Sequence, residues 1–240
     1  MVTAMKSPHC MPAWTRRSFT SGAVRWLLKP AVFLTALVPF SILIHRLLTG
    51  SLGADPLGEI TNTTGVWTLR FISLTLAITP FRRLTGWNAA IRLRRMIGLF
   101  AFFYGSLHLV VFVVADRLAS LGFPNLLTWR TIHDLAASIG SEAVNRPYIT
   151  LGFTSWLLML ALALTSTAGM IRRLGGRRWQ ALHRLVYAAA SAGVVHYWWS
   201  VRADVRGPLT YAVALTALLA FRVVVWARGH TAMRIITGRI

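Results

Sequence analysis

The chain has 240 residues, of which 55% are hydrophobic and only 13% are charged. In a soluble domain about a quarter of the residues are charged. Its mean hydropathy of +0.58 and net charge of +20 coexist because the charges lie in short stretches between long apolar runs. No continuous basic face can form in such a chain, which excludes a nucleic-acid-binding protein. The single cysteine, Cys10, excludes an intrachain disulfide and any CxxC redox or metal site.

Six apolar runs are long enough to cross a bilayer, since about 20 residues at 1.5 Å per residue cover about 30 Å of hydrocarbon. The predicted fold is therefore all-α, a polytopic membrane bundle of six transmembrane helices. Two arginines fall inside spans, Arg70 and Arg222, and each is expected to extend its side chain to the nearer interface. The predicted spans cover residues 27–48, 64–82, 96–115, 149–169, 182–201 and 208–227.

Lysine and arginine concentrate at both ends of the chain and in the second and fourth connections, while all six acidic residues fall in the other connections. The positive-inside rule then places both termini in the cytoplasm of a bacterial inner-membrane protein. We expect a basic cytoplasmic tail at 1–26, one transmembrane domain at 27–228 and a second cytoplasmic tail at 229–240. The third connection, 116–148, has apolar residues near helical spacing and is expected to form an amphipathic helix on the outer surface. The sequence has no internal repeat, no GxGxxG motif and no P-loop.

Two histidines lie at the same predicted depth on parallel spans. His108 stands thirteen residues beyond Arg95 in the third span, and His196 stands thirteen residues beyond His183 in the fifth. Two neutral imidazoles facing each other inside a helix bundle are the usual axial ligands of a six-coordinate b-type haem. The spacing therefore predicts haem in the bundle core, near the outer face. The alternative is a set of buried polar residues, or a proton relay in a transporter.

His183 lies about 20 Å nearer the cytoplasmic face and suggests a second, inner haem. The third span offers no second histidine at that level, where it reads "RRM". Met96 is a candidate thioether ligand there, and Arg94 and Arg95 are candidates for clamping haem propionates or a flavin phosphate. On one ideal helix His183 and His196 would point about 140° apart, so either Gly193 allows a local distortion or each ring reaches the core from a different side.

Four segments carry a resemblance that covers about residues 27–228 in consistent order. They are "ITPFRRLTGW" (78–87), "RRMIGLFAFFYGSLHL" (94–109), "NRPYITLG" (145–152) and "LTSTAGMIRRLGGRRWQALHRLVYAAASAGVVHYWWSV" (164–201). In these the chain resembles the MsrQ (YedZ) family of haem-binding membrane subunits of bacterial methionine sulfoxide reductase systems. It is more distantly similar to the ferric reductase and NADPH oxidase membrane domain.

The resemblance implies six spans, one or two b-type haems on His108, His183 and His196, and bound FMN, for which the basic loops 82–95 and 172–178 are the candidate positions. It further implies electron transfer from the quinone pool or a cytoplasmic flavin reductase to MsrP, a periplasmic molybdoprotein that repairs methionine sulfoxide in envelope proteins. Reduction of the substrate would then take place in the partner. Two alternatives from other classes are a ferric reductase or oxidase with a small-molecule acceptor, and a proton-coupled transporter using the three histidines.

Overall fold

The computed structural model describes residues 24–113, 128–201 and 203–236, and the described residues form helices and connections without a strand. The predicted all-α class is thus confirmed. Cys10 and most of the predicted N-terminal tail lie outside the described residues, as do 114–127 and 237–240. We number the helices in chain order as α1 (Lys29–Leu48), α2 (Pro56–Thr85), α3 (Arg94–Val110), α4 (Trp129–Asn145), α5 (Pro147–Leu164), α6 (Ala168–Leu182), α7 (Leu185–Ser200) and α8 (Arg206–Ile236).

Four helical stretches are long and apolar enough to cross a membrane by length and composition: Trp26–Leu48, Arg94–Val113, Pro147–Leu164 and Arg206–Arg228. They correspond to the predicted first, third, fourth and sixth spans. The predicted second and fifth spans lie in α2 and α7 and are not among these four. α2 carries Arg70 in its middle, and α7 has only 16 residues. The long third connection contains α4, which begins within the stretch where a helix is predicted.

Two helix pairs make the most extensive contacts, α2 with α3 and α5 with α7, and α3 packs against α5 to join them. α8 covers α2 and α7 on the other side. Small side chains allow the close approach of α5 and α7, where Ala189 and Ala190 are fully buried and the Ser155 hydroxyl donates to the Ala189 carbonyl at 2.8 Å. In the other pair, Phe71 of α2 stacks on the buried Tyr104 of α3 with ring centroids 5.3 Å apart.

A tyrosine hydroxyl bridges the backbone of α1 next to its internal proline. Tyr104 donates to the Ala36 carbonyl at 2.8 Å and accepts from the Phe40 amide at 3.1 Å. Pro39 has no N–H, so α1 lacks the bond from residue 39 to the Thr35 carbonyl at this turn, next to the two groups that Tyr104 contacts. The hydroxyl satisfies both groups inside the apolar core, where an unpaired backbone group is costly.

An arginine supports α2 in the same way. Pro80 has no N–H, so the Leu76 carbonyl, four residues earlier, has no partner within its own helix. Arg222 of α8 donates from Nη2 to this carbonyl at 2.9 Å and from Nη1 to the Tyr187 hydroxyl at 2.6 Å. The guanidinium of Arg222 is thus held between α2 and α7, and its extension to the interface stays a prediction. Arg70 is exposed and lies over the Trp67 ring at 4.5 Å.

The predicted fifth span does not begin in one continuous helix. α6 ends at Leu182, His183 and Arg184 form a turn, and α7 begins at Leu185. α6 itself bends at Gly175, which has a φ of 72° that favours glycine. α7 continues unbroken through Gly193, so of the two alternatives the structure shows no break at Gly193, and the helix is interrupted at the turn instead. The angle of about 140° predicted between His183 and His196 assumed one ideal helix and does not apply.

Candidate functional site

The imidazole rings of His108 and His196 are direct neighbours between the two main helix pairs. Their centroids lie 6.0 Å apart, and their planes are inclined at 81°. His108 is near the end of α3, and His196 is one turn from the end of α7, so the two helices present their histidines at the same level. The helix packing thus brings together the two residues that the sequence places at equal depth.

Each ring is held by one backbone hydrogen bond from Nδ1. His108 Nδ1 lies 2.9 Å from the carbonyl of Thr61 on α2, and His196 Nδ1 lies 2.6 Å from the carbonyl of Tyr148 on α5. A carbonyl oxygen only accepts, so Nδ1 carries the proton in both rings. The lone pair of each neutral ring is then on Nε2. A hydrogen bond of this kind is the usual way in which a protein fixes the tautomer and orientation of a metal-binding histidine.

The spacing of the two rings fits a metal ion between them. A metal–imidazole nitrogen bond is about 2 Å long, which puts the centres of two opposed axial rings about 6 Å apart. The described residues contain no cluster of three or more His, Cys, Asp or Glu side chains able to hold a metal ion. A metal held by these two rings needs further ligands beyond the pair itself. Iron in a porphyrin has such ligands, because the macrocycle fills the four equatorial positions and leaves two axial ones.

The inner histidine has different surroundings. His183 caps the end of α6, and its Nε2 lies 3.3 Å from the Thr165 hydroxyl. Its ring lies against Trp179, with centroids 4.0 Å apart, and the indole Nε1 donates to the Thr165 carbonyl at 2.9 Å. Among the described residues, no second histidine ring makes a contact with His183 like the one between His108 and His196.

Arg94, Arg95 and Met96, the three residues predicted beside His183, have different surroundings in the structure. Arg94 begins α3, is half-buried, and lies within electrostatic range of His183 and of Arg222. Arg95 is exposed, whereas Met96 is half-buried and packs against the hydrophobic core. The structure therefore brings Arg94 and His183 into one inner cluster with Arg222, a residue that the sequence did not assign to a site.

Sequence reasoning also missed the residues that hold the outer histidine rings. The hydrogen-bond acceptors at Thr61 and Tyr148 are backbone carbonyls, which every residue type has, so no sequence pattern distinguishes them. Gly65 and Gly152 stand one helical turn after these acceptors and lie against the rings. A glycine inside an apolar helix was the available signal, since glycine is unfavourable there unless another group approaches closely.

Comparison with known proteins agrees with this architecture. Residues 64–194 match the family described as "Ferric reductase like transmembrane component". This range begins within α2 and ends within α7, so it contains His108, α3 and α5, while Thr61 and His196 lie a few residues outside it.

Several relatives share the name "Protein-methionine-sulfoxide reductase heme-binding subunit MsrQ". The relative from Herminiimonas arsenicoxydans is 45% identical over 203 residues, covering 84% of this chain and 86% of the relative. That from Azospira oryzae is 47% identical over 198 residues (82% and 78%), and that from Xanthomonas euvesicatoria pv. vesicatoria is 44% identical over 216 residues (86% and 91%). With identity at this level across most of both chains, the chain belongs to the MsrQ family.

Proposed function

We propose that this protein holds a b-type haem between His108 and His196 and transfers electrons through it across the bacterial inner membrane. The observation that carries the proposal is the 6.0 Å separation of two opposed imidazoles whose Nδ1 atoms are both engaged by backbone carbonyls. The haem supplies one-electron transfer between ferric and ferrous iron. The chain supplies axial nitrogen ligands, fixes their protonation state and surrounds them with apolar helices that exclude water.

The proposed topology has six spans, formed by α1, α2, α3, α5, α7 and α8, with both termini in the cytoplasm. The connections on the cytoplasmic side of this arrangement are rich in arginine, and every acidic residue of the chain falls on the other side. The His108–His196 pair then lies in the outer half, close to the periplasm. Trp198 and Trp199 are exposed just beyond His196, as expected for aromatic side chains at a membrane interface.

The proposed electron acceptor is MsrP, the periplasmic molybdoprotein of the methionine sulfoxide reductase system. The names of the relatives support this partner, since they describe heme-binding subunits of a protein-methionine-sulfoxide reductase. We propose that electrons enter from the quinone pool or from a cytoplasmic flavin reductase. A site in the outer half of the bundle suits delivery to a periplasmic protein, because the last transfer then needs no further cofactor in the membrane.

The inner cluster is the proposed place for the remaining cofactors. Arg94, Arg222 and His183 lie together at the cytoplasmic end of the bundle, where the sequence provides no carboxylate to balance their charge. Arginine binds carboxylate and phosphate groups in two-pronged geometry, so Arg94, with the positive charge of Arg222 nearby, suits a haem propionate or the phosphate of FMN. A second haem on His183 stays a prediction, and so does FMN.

The proposal is tested by the spectrum and electron transfer of the detergent-purified protein. We expect a low-spin Soret band, an α band on reduction and at least one haem per chain in a pyridine haemochromogen assay. Mixing the reduced protein with MsrP and a methionine sulfoxide substrate should reoxidise it. A chain purified without any haem band contradicts the site and favours a transporter. Reoxidation by ferric chelates but not by MsrP favours the ferric reductase alternative.

A further inference from the structure

The rings of His108 and His196 are held by the same arrangement of backbone groups on two different helices, α2 and α5. On α2 the acceptor carbonyl belongs to Thr61 and the glycine against the ring is Gly65. On α5 the acceptor is Tyr148 and the glycine is Gly152. In both cases the glycine follows the acceptor by four residues, which places it one turn further along the same helix face. Each imidazole therefore lies along one helical turn, with Nδ1 bonded to the backbone at one end of that turn.

Neither glycine is required by its backbone conformation. Positive φ angles among the described glycines occur at Gly50, Gly86 and Gly175, and not at Gly65 or Gly152. What distinguishes this pair is the space above the Cα atom. A methyl group at Gly152 would lie 2.7 Å from His196 Nδ1 and 2.8 Å from Cε1. At Gly65 it would lie 3.1 Å from His108 Nδ1 and 3.2 Å from Cε1.

These contacts fix the planes of the rings as well as their positions. A hydrogen bond from Nδ1 sets the direction of one ring edge, and each ring occupies space that a Cβ atom would fill at the glycine, so a side chain there would push the ring out of its plane. The two helices hold their rings in different orientations, so that the planes are 81° apart. We propose that Gly65 and Gly152 are positioning residues that hold the two axial imidazoles nearly perpendicular across the iron. This inference rests on the haem site proposed above.

Perpendicular axial planes have a spectroscopic consequence. Each imidazole interacts mainly with one iron d orbital of π symmetry, so perpendicular rings leave two of these orbitals nearly equal in energy. Low-spin ferric haem then gives a highly anisotropic EPR spectrum dominated by one large g value. Parallel rings separate the two orbitals and give an ordinary rhombic spectrum with three resolved g values. The EPR spectrum therefore reports the ring orientation independently of electron-transfer activity.

The test compares Gly65→Ala and Gly152→Ala with two controls in the full-length, haem-loaded protein. Gly98→Ala lies on the helix of His108, and Gly193→Ala lies on the helix of His196. An added methyl would meet its nearest neighbour at 3.6 Å and 3.4 Å in these controls, which is ordinary contact. We expect both controls to keep the wild-type spectrum. The large g value should fall in Gly65→Ala, and it should fall further in Gly152→Ala, where the clash is more severe.

The possible outcomes separate this inference from the haem proposal. Wild-type protein without a haem band would overturn the proposed site and this inference together. Wild-type protein that binds haem but gives an ordinary rhombic spectrum would overturn the perpendicular arrangement alone. A wild-type spectrum in both Gly65→Ala and Gly152→Ala would overturn the role of the glycines. If Gly152→Ala does not fold, the spectrum of the milder Gly65→Ala variant decides, with a shift supporting the inference and an unchanged g value overturning it.

Discussion

Arg222 donates a hydrogen bond to the Leu76 carbonyl across 2.9 Å, and this carbonyl is the one that Pro80 leaves without a partner in α2. A charged side chain in an apolar helix is expensive unless its donors are used. Two of the guanidinium nitrogens bond to α2 and α7, and the guanidinium also lies over the Tyr187 ring at 5.0 Å. Arg222 therefore joins three helices at the point where the backbone of one of them is incomplete.

Replacing Arg222 with methionine should destabilise the protein, because it removes the hydrogen-bond donor to the Leu76 carbonyl. The variant leaves this buried acceptor unpaired, which costs about 1–3 kcal/mol. Pro80→Ala restores an N–H to α2 and gives the carbonyl a partner within its own helix. We therefore expect Arg222→Met to cost about 1 kcal/mol less in the Pro80→Ala background. The measurement is the unfolding free energy in mixed micelles, followed by far-UV circular dichroism.

The matched control for this cycle is Arg70→Met. Arg70 is exposed, and its Nε lies 3.3 Å from the Tyr211 hydroxyl, so its loss should change the unfolding free energy by no more than about 0.5 kcal/mol. If Arg222→Met lowers the unfolding free energy equally with and without Pro80, the arginine does not act by bonding the carbonyl that Pro80 leaves without a partner.

Tyr104→Phe should destabilise the protein by about 1–3 kcal/mol, because it removes a buried hydroxyl that satisfies two backbone groups of α1. The ring remains and keeps its stacking on Phe71, so the change isolates the hydrogen bonds to Ala36 and Phe40. Thermal unfolding in detergent measures the effect. Tyr211→Phe is the control, since it removes a hydroxyl whose partner Arg70 is exposed. Equal melting temperatures for both variants would argue against a role of Tyr104 in supporting α1.

The sequence predicted the histidine pair because depth in a membrane helix follows directly from residue count. His108 and His196 could be placed at one level from the rise per residue and the orientation of each span. The same reasoning failed at His183, since it assumed that the helix continues there. A turn at His183 and Arg184 separates α6 from α7, and residue spacing carries no information about where a helix is interrupted.

Tertiary partners explain the role of Arg222 as well. From the sequence, an arginine near the end of an apolar run is expected to extend to the interface, and the same expectation holds for Arg70, which is exposed. Only the packing of α8 against α2 reveals that the Leu76 carbonyl, which Pro80 leaves without a helix partner, lies within reach of Arg222. Proline itself was visible in the sequence, but the residue that compensates for it is 142 positions away, as the numbering shows.

The pH dependence of stability should include a contribution from Glu59 at the outer end of α2. The Gly53 amide, which donates to its carboxylate at 2.9 Å, and the adjacent Arg46 guanidinium lower the pKa of Glu59. A carboxyl whose pKa is lower in the folded state stabilises above its unfolded pKa of about 4.3. That contribution is lost as the pH falls through the folded pKa.

We therefore expect the melting temperature of the wild type to fall between about pH 5 and pH 3 more steeply than that of Glu59→Gln. Asp134→Asn removes an exposed carboxylate elsewhere on the described surface and controls for the change in net charge. Identical pH profiles for the wild type and Glu59→Gln would contradict the contribution of Glu59.

Removing either outer histidine should abolish the low-spin signal of the outer haem. His108→Ala and His196→Ala each take away one axial nitrogen and leave the opposite ring, 6.0 Å away, without a second ligand for iron. We expect loss of the sharp α band and of the low-spin EPR signal in both variants, measured against haem content per chain.

His183→Ala is the matched control, because its ring contacts Trp179 and Thr165 and does not face this pair. If both outer variants keep the full low-spin signal, His108 and His196 are not the axial ligands. If His183→Ala also removes all haem, the protein has one haem site, and His183 is needed for it as well as the outer pair.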